Sequence, residues 1–430
     1  MPAIITIEQH IKDADAYKKQ QNFDQALVVY QKALAMVRDN LGENHLKTAD
    51  LYAKIGSCYS NKGAYDKALE VIENALKILL QLPEKPYLII AQVYQSLGRV
   101  CLYQRNFSKA LEYFQKSLLV YKTHLGAANN KLGFLYNNIG LCYTKIGEHR
   151  EAISCLEQGL RVQQQLKLKD DGNTANLYHT LGVCYVNLNQ PEHALTYYQQ
   201  SLSIKIKVLG EEHTEVANTY NNIGVCYGEI KNYKSELWCY KKSLGIKTEI
   251  LGERHPSVSV IYDNIGYNYN NQQDYTTALH YFQKALIILL DDFEDIDIYS
   301  SPSLNSYYLP FVLLDVLKGR GEAFYYRYLD NEVQEEKDEE DAFVSFTTDL
   351  DLQMSLKTYQ LAMQLINELL QDYKTDSAKL MLMNKAAGAY EGAIRVALKL
   401  YQCTKEVRYK ALAFSFSEKR WSSIIIRIYF

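Results

Sequence analysis

The sequence predicts an all-α protein, a right-handed α-solenoid (superhelix) built from stacked helix-turn-helix repeats. Three observations predict this fold. Glycines recur at a fixed interval, small and large residues recur at fixed distances after them, and the 430-residue chain contains 37 Tyr but only 2 Trp and 7 Pro. Apolar residues make up 47% of the chain, which is enough to bury a core, so the composition excludes wholesale disorder.

A period of 42 residues runs through the first two thirds of the chain. The anchor positions are Ala14, Gly56, Gly98, Gly140, Gly182, Gly224 and Gly266. Twelve residues after the anchor stands Ala in every repeat but one, where Glu236 replaces it. A large residue follows four positions later, and a small residue three positions after that. Offsets of three and four share one helix face, so each repeat predicts two antiparallel helices whose small residues permit close approach.

Residues 1–290 therefore predict seven helix pairs in one continuous array. Tyrosine is frequent because it recurs three residues after the anchor. These tyrosines are Tyr17, Tyr59, Tyr143, Tyr185, Tyr227 and Tyr269. Each pair can bury its seam only against neighbouring pairs, as is typical of repeat proteins.

These residues resemble the tetratricopeptide repeat (TPR), with its small–Tyr–Ala–Phe/Tyr–Ala skeleton, over residues 1–290. The period of 42, together with LGEEHTEVANTYNNIG from Leu209 and LGERHPSVSVIYDNIG from Leu251, is similar to the kinesin-light-chain type of this repeat. The resemblance implies a scaffold without catalytic activity, whose concave groove binds a peptide or partner protein.

In the tetratricopeptide repeat family, the first helix of each repeat chiefly lines the groove. Three residues before and five residues after the anchor are two of the lining positions. Carried over to this sequence, they imply the groove candidates Gln95, Asn137, His179, Asn221, Asp263, Lys145, Asn187 and Asn271. Asparagine suits a peptide ligand, because its amide both donates to and accepts from backbone groups. The alternative is that these residues are only polar surface. Replacing Asn137 and Asn221 by Ala is expected to leave stability nearly unchanged.

Repeated cysteines and histidines also follow the register. Cys58, Cys142, Cys184 and Cys226 each lie two residues after an anchor, where a small buried side chain is expected rather than a reactive thiol. His45, His213 and His255 share one position in the linker LGxxH, so helix entry or inter-repeat hydrogen bonding is favoured over metal binding. No metal, cofactor or catalytic site is predicted, since nucleotide, hydrolase and metalloprotease motifs are absent from the sequence.

After Leu290 the regular pattern stops. Residues 291–329 predict an irregular acidic linker followed by a helix, and residues 330–349, which include DNEVQEEKDEEDA, predict a solvated acidic loop. Residues 350–430 predict degenerate helical pairs, because Ser355, Tyr359 and Ala362 repeat the spacing of a second helix.

This C-terminal part resembles the region that follows the repeats in bacterial TPR proteins with a caspase-like CHAT domain. DIDIYSSPSL, LKGRGEAFYYRY, SLKTYQLAMQLI and ALAFSFSEKR carry the resemblance. It implies, as an alternative function, the sensor or regulatory half of a CHAT-type protease system. The CHAT domain itself is lacking from this chain, and no His follows His280 to pair with Cys403. Protease activity is therefore not expected.

Charge and hydropathy exclude other classes of partner. The formal net charge of −3 does not favour nucleic acid or an anionic membrane. Apolar runs reach only about six residues, against the roughly 20 needed to span a bilayer. The N-terminus shows no secretory signal, so a cytoplasmic protein is expected. The expected partner is a protein or peptide rather than a small-molecule substrate.

Overall fold

The computed structural model describes residues 2–168, 171–335, 342–373 and 376–429. Within these ranges the chain forms eighteen helices. The one β feature of the described residues is an isolated antiparallel bridge between Leu290 and Tyr307. The predicted all-α class is confirmed.

The chain folds into two compact units, Met1–Glu211 and Glu212–Phe430. The first unit contains ten helices in its described part. They are α1 Pro2–Lys19, α2 Phe23–Leu41, α3 Leu46–Asn61, α4 Tyr65–Gln81, α5 Tyr87–Tyr103, α6 Phe107–Leu125, α7 Asn130–Ile146, α8 His149–Gln165, α9 Gly172–Asn187 and α10 Pro191–Leu209.

The second unit contains eight helices in its described part, and four of them complete the repeats. These four are α11 Thr214–Glu229, α12 Tyr233–Leu251, α13 Pro256–Asn271 and α14 Tyr275–Leu289. The remaining helices are longer: α15 Pro310–Glu335, α16 Ala342–Asp372, α17 Asp376–Thr404 and α18 Val407–Tyr429. The seven predicted helix pairs are thus α1/α2 to α13/α14.

Each pair closes around its anchor position. A Cβ atom on Gly182 would lie 2.6 Å from Cε1 of Tyr198, the large residue of the same repeat, so glycine lets the two helices approach. Ala194, on the facing helix, is fully buried. Within each unit, helices pack against their neighbours in sequence, and first helices such as α7 and α9 also contact each other. This packing makes the fold an α-solenoid.

The turn inside every pair contains one residue with a left-handed backbone, seven positions after the anchor. Only two of the seven residues are glycines. The seven are Gln21, Gly63, Arg105, Gly147, Asn189, Lys231 and Gln273, with φ between 56° and 97°. The position is helical C-cap geometry, for which glycine is the favoured residue.

The histidines of the LGxxH linkers cap the first helices. Nδ1 of His45 accepts a hydrogen bond from the backbone N–H of Lys47 at 3.1 Å, and Nδ1 of His213 accepts from Glu215 at 3.1 Å. His255 caps α13 in the same way, with a distance of 3.2 Å to the backbone nitrogen of Ser257. The predicted role at helix entry is confirmed.

The predicted acidic loop at 330–349 is wrong for most of its length. Residues 330–335 continue α15 and residues 342–349 belong to α16, while 336–341 lie outside the described residues. Neutralised charge explains the longer helix: Nζ of Lys399 donates to both carboxylate oxygens of Glu332 at 2.8 Å, and the Tyr328 hydroxyl donates to the same group at 2.8 Å.

The acidic stretch after α14 is irregular but tied down by buried side chains. Nε2 of Gln283 donates to the carbonyls of Asp295 and Asp297 at 2.7 and 2.8 Å. Arg320, fully buried on α15, donates to the carbonyls of Ile298 and Ser300, both at 2.7 Å. These bonds satisfy loop carbonyls that would otherwise be costly to bury.

Candidate functional site

The groove candidates of the first unit lie on α5, α7 and α9. Gln95, Asn137 and His179, three residues before their anchors, are half-buried. Lys145 and Asn187, five residues after their anchors, are exposed. The exposed candidates could contact a ligand without any change in packing.

Asn137 joins two successive repeats. Its Oδ1 accepts a hydrogen bond from the Thr180 hydroxyl of α9 at 2.8 Å. The second unit repeats this arrangement, because Oδ1 of Asn221 accepts from Nδ2 of Asn264 at 2.9 Å. Both donors lie two residues before the next anchor. These bonds revise the expectation that either Asn can be removed without a loss of stability, since such a bond contributes roughly 0.5–1.5 kcal/mol.

His179 lies between the helices of its own pair. Its imidazole packs edge-on against the ring of Tyr198, with 5.3 Å between ring centroids. Burial lowers the pKa of His179 to about 4, and the nearby positive charge of Lys205 acts in the same direction. At neutral pH the ring is therefore uncharged, and this position offers a ligand a neutral surface.

The three candidates of the second unit differ in burial. Asn221 is half-buried and Asn271 is exposed. Asp263 is only 7% exposed, and burial, reinforced by the charge of Asp315 on α15, raises its pKa well above the ordinary value. Lys385 of α17 pairs with Asp315. Asp263 thus lies within the packing of first helices.

Glu236, the exception at the position otherwise occupied by Ala, is a buried hydrogen-bonded group. Its Oε2 accepts from Nδ2 of Asn268 at 2.8 Å. A Cβ atom on Gly228 would lie 2.7 Å from its Oε1, so the glycine makes room for the carboxyl. Burial raises the pKa of Glu236. The sequence does signal this group, since Asn268 stands where four other repeats have Cys.

The predicted packing cysteines are buried. Cys58, Cys142, Cys184 and Cys226 have no exposed surface. Burial raises the pKa of Cys142 to about 12, which keeps its thiol protonated and unreactive.

Two further searches cover the same described ranges. They contain no group of three or more His, Cys, Asp or Glu side chains that could hold a metal ion. None of the helices found there combines the length and the apolar character that crossing a bilayer requires.

The structure also contains a cavity that the repeat offsets do not reveal. It has a volume of about 440 Å³ and lies in the first unit, between α8, α9 and α10. Tyr178 of α9 and Gln200 of α10 form part of its lining. It includes none of the groove candidates.

Family comparisons cover most of the repeats. A family model described as tetratricopeptide repeat matches residues 14–81, 51–123, 132–207 and 194–249. A second model with the same description matches residues 258–289. No curated protein sequence matches the chain.

Several solved structures are similar to the chain at low sequence identity. The apo form of RapI is 15% identical, with 66% of this chain and 97% of that chain covered and a TM-score of 0.53. Kinesin light chain TPR-like repeats of Podosopora anserina are 16% identical, with coverage of 49% and 98% and a TM-score of 0.43. BtubC from P. vanneervenii is 16% identical, with coverage of 70% and 97% and a TM-score of 0.35. The likeness to RapI agrees with the fold described above.

Proposed function

The chain belongs to the tetratricopeptide repeat family, and from this premise we propose that it is a non-catalytic scaffold that binds a peptide or partner protein along its first helices. Repeat arrays of this kind expose extended surfaces because each repeat contacts only its neighbours. The observation that carries the proposal is the series of equivalent polar positions on successive first helices, exposed at Lys145 and Asn187.

The chemistry of these positions favours a polypeptide ligand. Amide side chains recur at Gln95, Asn137 and Asn187, and the His179 ring is neutral at neutral pH. Amides donate and accept hydrogen bonds, so they can pair with an extended backbone whatever its side chains are. A strongly charged or small-molecule ligand would need a charge cluster or a deep cavity at these positions. The proposed partner is therefore a protein or peptide, with no cofactor involved.

A capture experiment tests this function. The intact chain, immobilised, is exposed to a lysate of its source cells, and bound proteins are identified by mass spectrometry. Lys145→Ala with Asn187→Ala should lose the partner without a change in melting temperature, because both side chains are exposed. Gln31→Ala with Lys32→Ala, exposed on the second helix α2, is the matched control and should retain it. Equal capture by all three proteins would contradict the proposal.

A second candidate function is the regulatory half of a CHAT-type protease system. It rests on the resemblance of LKGRGEAFYYRY on α15 and SLKTYQLAMQLI on α16 to the region that follows the repeats in such proteins. An intact CHAT reading frame just downstream in the genome would favour this candidate. A neighbourhood without any protease gene would favour the simple scaffold.

A further inference from the structure

Five first helices carry a tyrosine four residues before the anchor. These are Tyr94, Tyr136, Tyr178, Tyr220 and Tyr262. In repeats three, five and seven this tyrosine stacks on a second tyrosine from the following helix. The ring centroids are 6.2 Å apart for Tyr94 and Tyr113, 6.1 Å for Tyr178 and Tyr197, and 6.0 Å for Tyr262 and Tyr281.

In two of these ring pairs the chain supplies its own cation. Nζ of Lys116 lies 6.0 and 5.9 Å from the centroids of Tyr94 and Tyr113. Nζ of Lys284 lies 5.7 and 5.2 Å from those of Tyr262 and Tyr281. Both lysines stand eighteen residues after the anchor of their repeat. An ammonium held over aromatic faces is attracted by their negative quadrupole.

Repeat four uses a different lysine for the same purpose. There the following helix contributes Cys155 instead of a second ring, and Nζ of Lys122, from the preceding second helix α6, lies 5.1 Å from the centroid of Tyr136. Lys122 stands twenty-four residues after the anchor Gly98. Two register positions can therefore place a lysine over the tyrosine of a first helix.

In repeat five both register positions are glutamine. Gln200 takes the place of Lys116 and Lys284, and Gln164 takes the place of Lys122. The cavity of about 440 Å³ lies at this point, and Gln164, Tyr178 and Gln200 all line it. The stacked rings of repeat five thus adjoin open space at the positions from which other repeats supply a cation.

The lining of this cavity suits a positive group. Its residues carry no positive charge, and Gln163, Gln164, Gln200 and Ser203 supply oxygen atoms that can accept hydrogen bonds from an ammonium or guanidinium. Negative charge lies nearby, because Glu157 helps to raise the pKa of Tyr197, after burial and the neighbouring Tyr185. Asp171 is hydrogen-bonded to the lining residue Gln163 at 3.5 Å.

We propose that this cavity binds a lysine or arginine side chain of a partner polypeptide, with its cation over Tyr178 and Tyr197. The chain's own Lys116 and Lys284 show the geometry that the bound side chain would adopt. This site is separate from the groove candidates, so it adds a second point of contact and a preference for basic residues.

Peptide probes test the site on the intact chain. The probes are acetyl-Gly-X-Gly-amides in which X is Lys, Arg, norleucine or Phe, and the signal is the ¹³C-labelled δ1 methyl group of Ile204, which lines the cavity. Lys or Arg should shift this signal saturably, with an affinity at least about threefold higher than norleucine, as a cation–π contact predicts. Equal binding of norleucine, or tighter binding of Phe, would overturn the proposal in favour of a neutral ligand.

Variants that restore the chain's own lysine provide the decisive control. Gln200→Lys, which copies repeats three and seven, should fill the cavity and weaken the Lys probe at least about threefold. Gln164→Lys, which copies Lys122, should act in the same way. Gln199→Lys adds the same charge on the neighbouring exposed residue and should bind nearly as the natural chain does. If all three variants bind the Lys probe equally, the cation does not lie over these rings.

Discussion

Single residues in the helix seams hold the repeats together. The anchor glycines are a steric requirement, because the large residue of the same repeat occupies the space where a Cβ atom would be. This requirement is stronger than helix propensity, which disfavours glycine in a helix by about 1 kcal/mol relative to alanine.

Gly182→Ala should therefore lower the free energy of unfolding by about 1–3 kcal/mol, since its Cβ would lie 2.6 Å from the Tyr198 ring. Gly245→Ala is the matched control: Gly245 is also helical, on α12, but its Cβ would meet nothing within 4 Å. That change should raise stability by up to about 1 kcal/mol. Urea denaturation of both variants checks the pair, and opposite signs are expected. A gain in the Gly182 variant would show that the seam is not close-packed.

Glu236 should make stability depend on pH. Its pKa is raised by burial, so its contribution is present below the ordinary value of about 4.3 and is lost as pH rises through the folded-state pKa. Glu236→Gln cannot ionise and should gain stability relative to the natural chain, on the order of 1 kcal/mol between about pH 5 and pH 8. Chemical denaturation across this range measures the difference. A difference that stays constant with pH would mean that Glu236 is charged and satisfied in the folded chain.

The sequence predicted residue roles wherever the register repeats, but not where two exceptions compensate each other. The burial of Cys142 and the helix cap by His45 follow from position alone. The bond between Glu236 and Asn268 depends on three coordinated changes in two repeats. Asn137 was expected to be dispensable for stability because one sequence does not show that Thr180 donates to it. Such pairings depend on rotamers and distances between helices.

At the scale of elements, the turns within pairs carry a cost that the chain tolerates. Five of the seven turn residues with positive φ are not glycine, although that backbone conformation costs an L-residue on the order of 1 kcal/mol. The helices on either side impose the conformation, since each turn is fixed by the packing of its pair. Sequence patterns identify the glycine turns at Gly63 and Gly147 but not the others.

Lys231→Gly should therefore raise the free energy of unfolding, by about 0.5–1 kcal/mol, because Lys231 is exposed and has φ of 61°. Gly147→Lys, with φ of 97° at the same register position, is the reverse change and should be destabilising by a similar amount. Thermal unfolding followed by circular dichroism measures both. Destabilisation by Lys231→Gly would mean that the lysine side chain contributes more than the strain it causes.

At the scale of the whole molecule, the period of 42 predicts the helical class and the first fourteen helices. The period does not predict the division at Glu211, because the repeats continue through it without a change in register. Charge composition misjudged residues 330–349, because Glu332 is paired with Lys399, 67 residues away in sequence. Partners at that separation are set by tertiary packing, which a local count of charges does not contain.

The central claim is that a partner polypeptide lies along the first helices. Site-specific photo-cross-linking with benzoylphenylalanine in the intact chain tests it most directly. Placed at Asn187, exposed near the end of α9, the probe should cross-link the captured partner. Placed at Gln31, exposed on the second helix α2, it should give little or no adduct. Cross-linking from Gln31 and none from Asn187 would contradict the account and move the binding surface to the second helices.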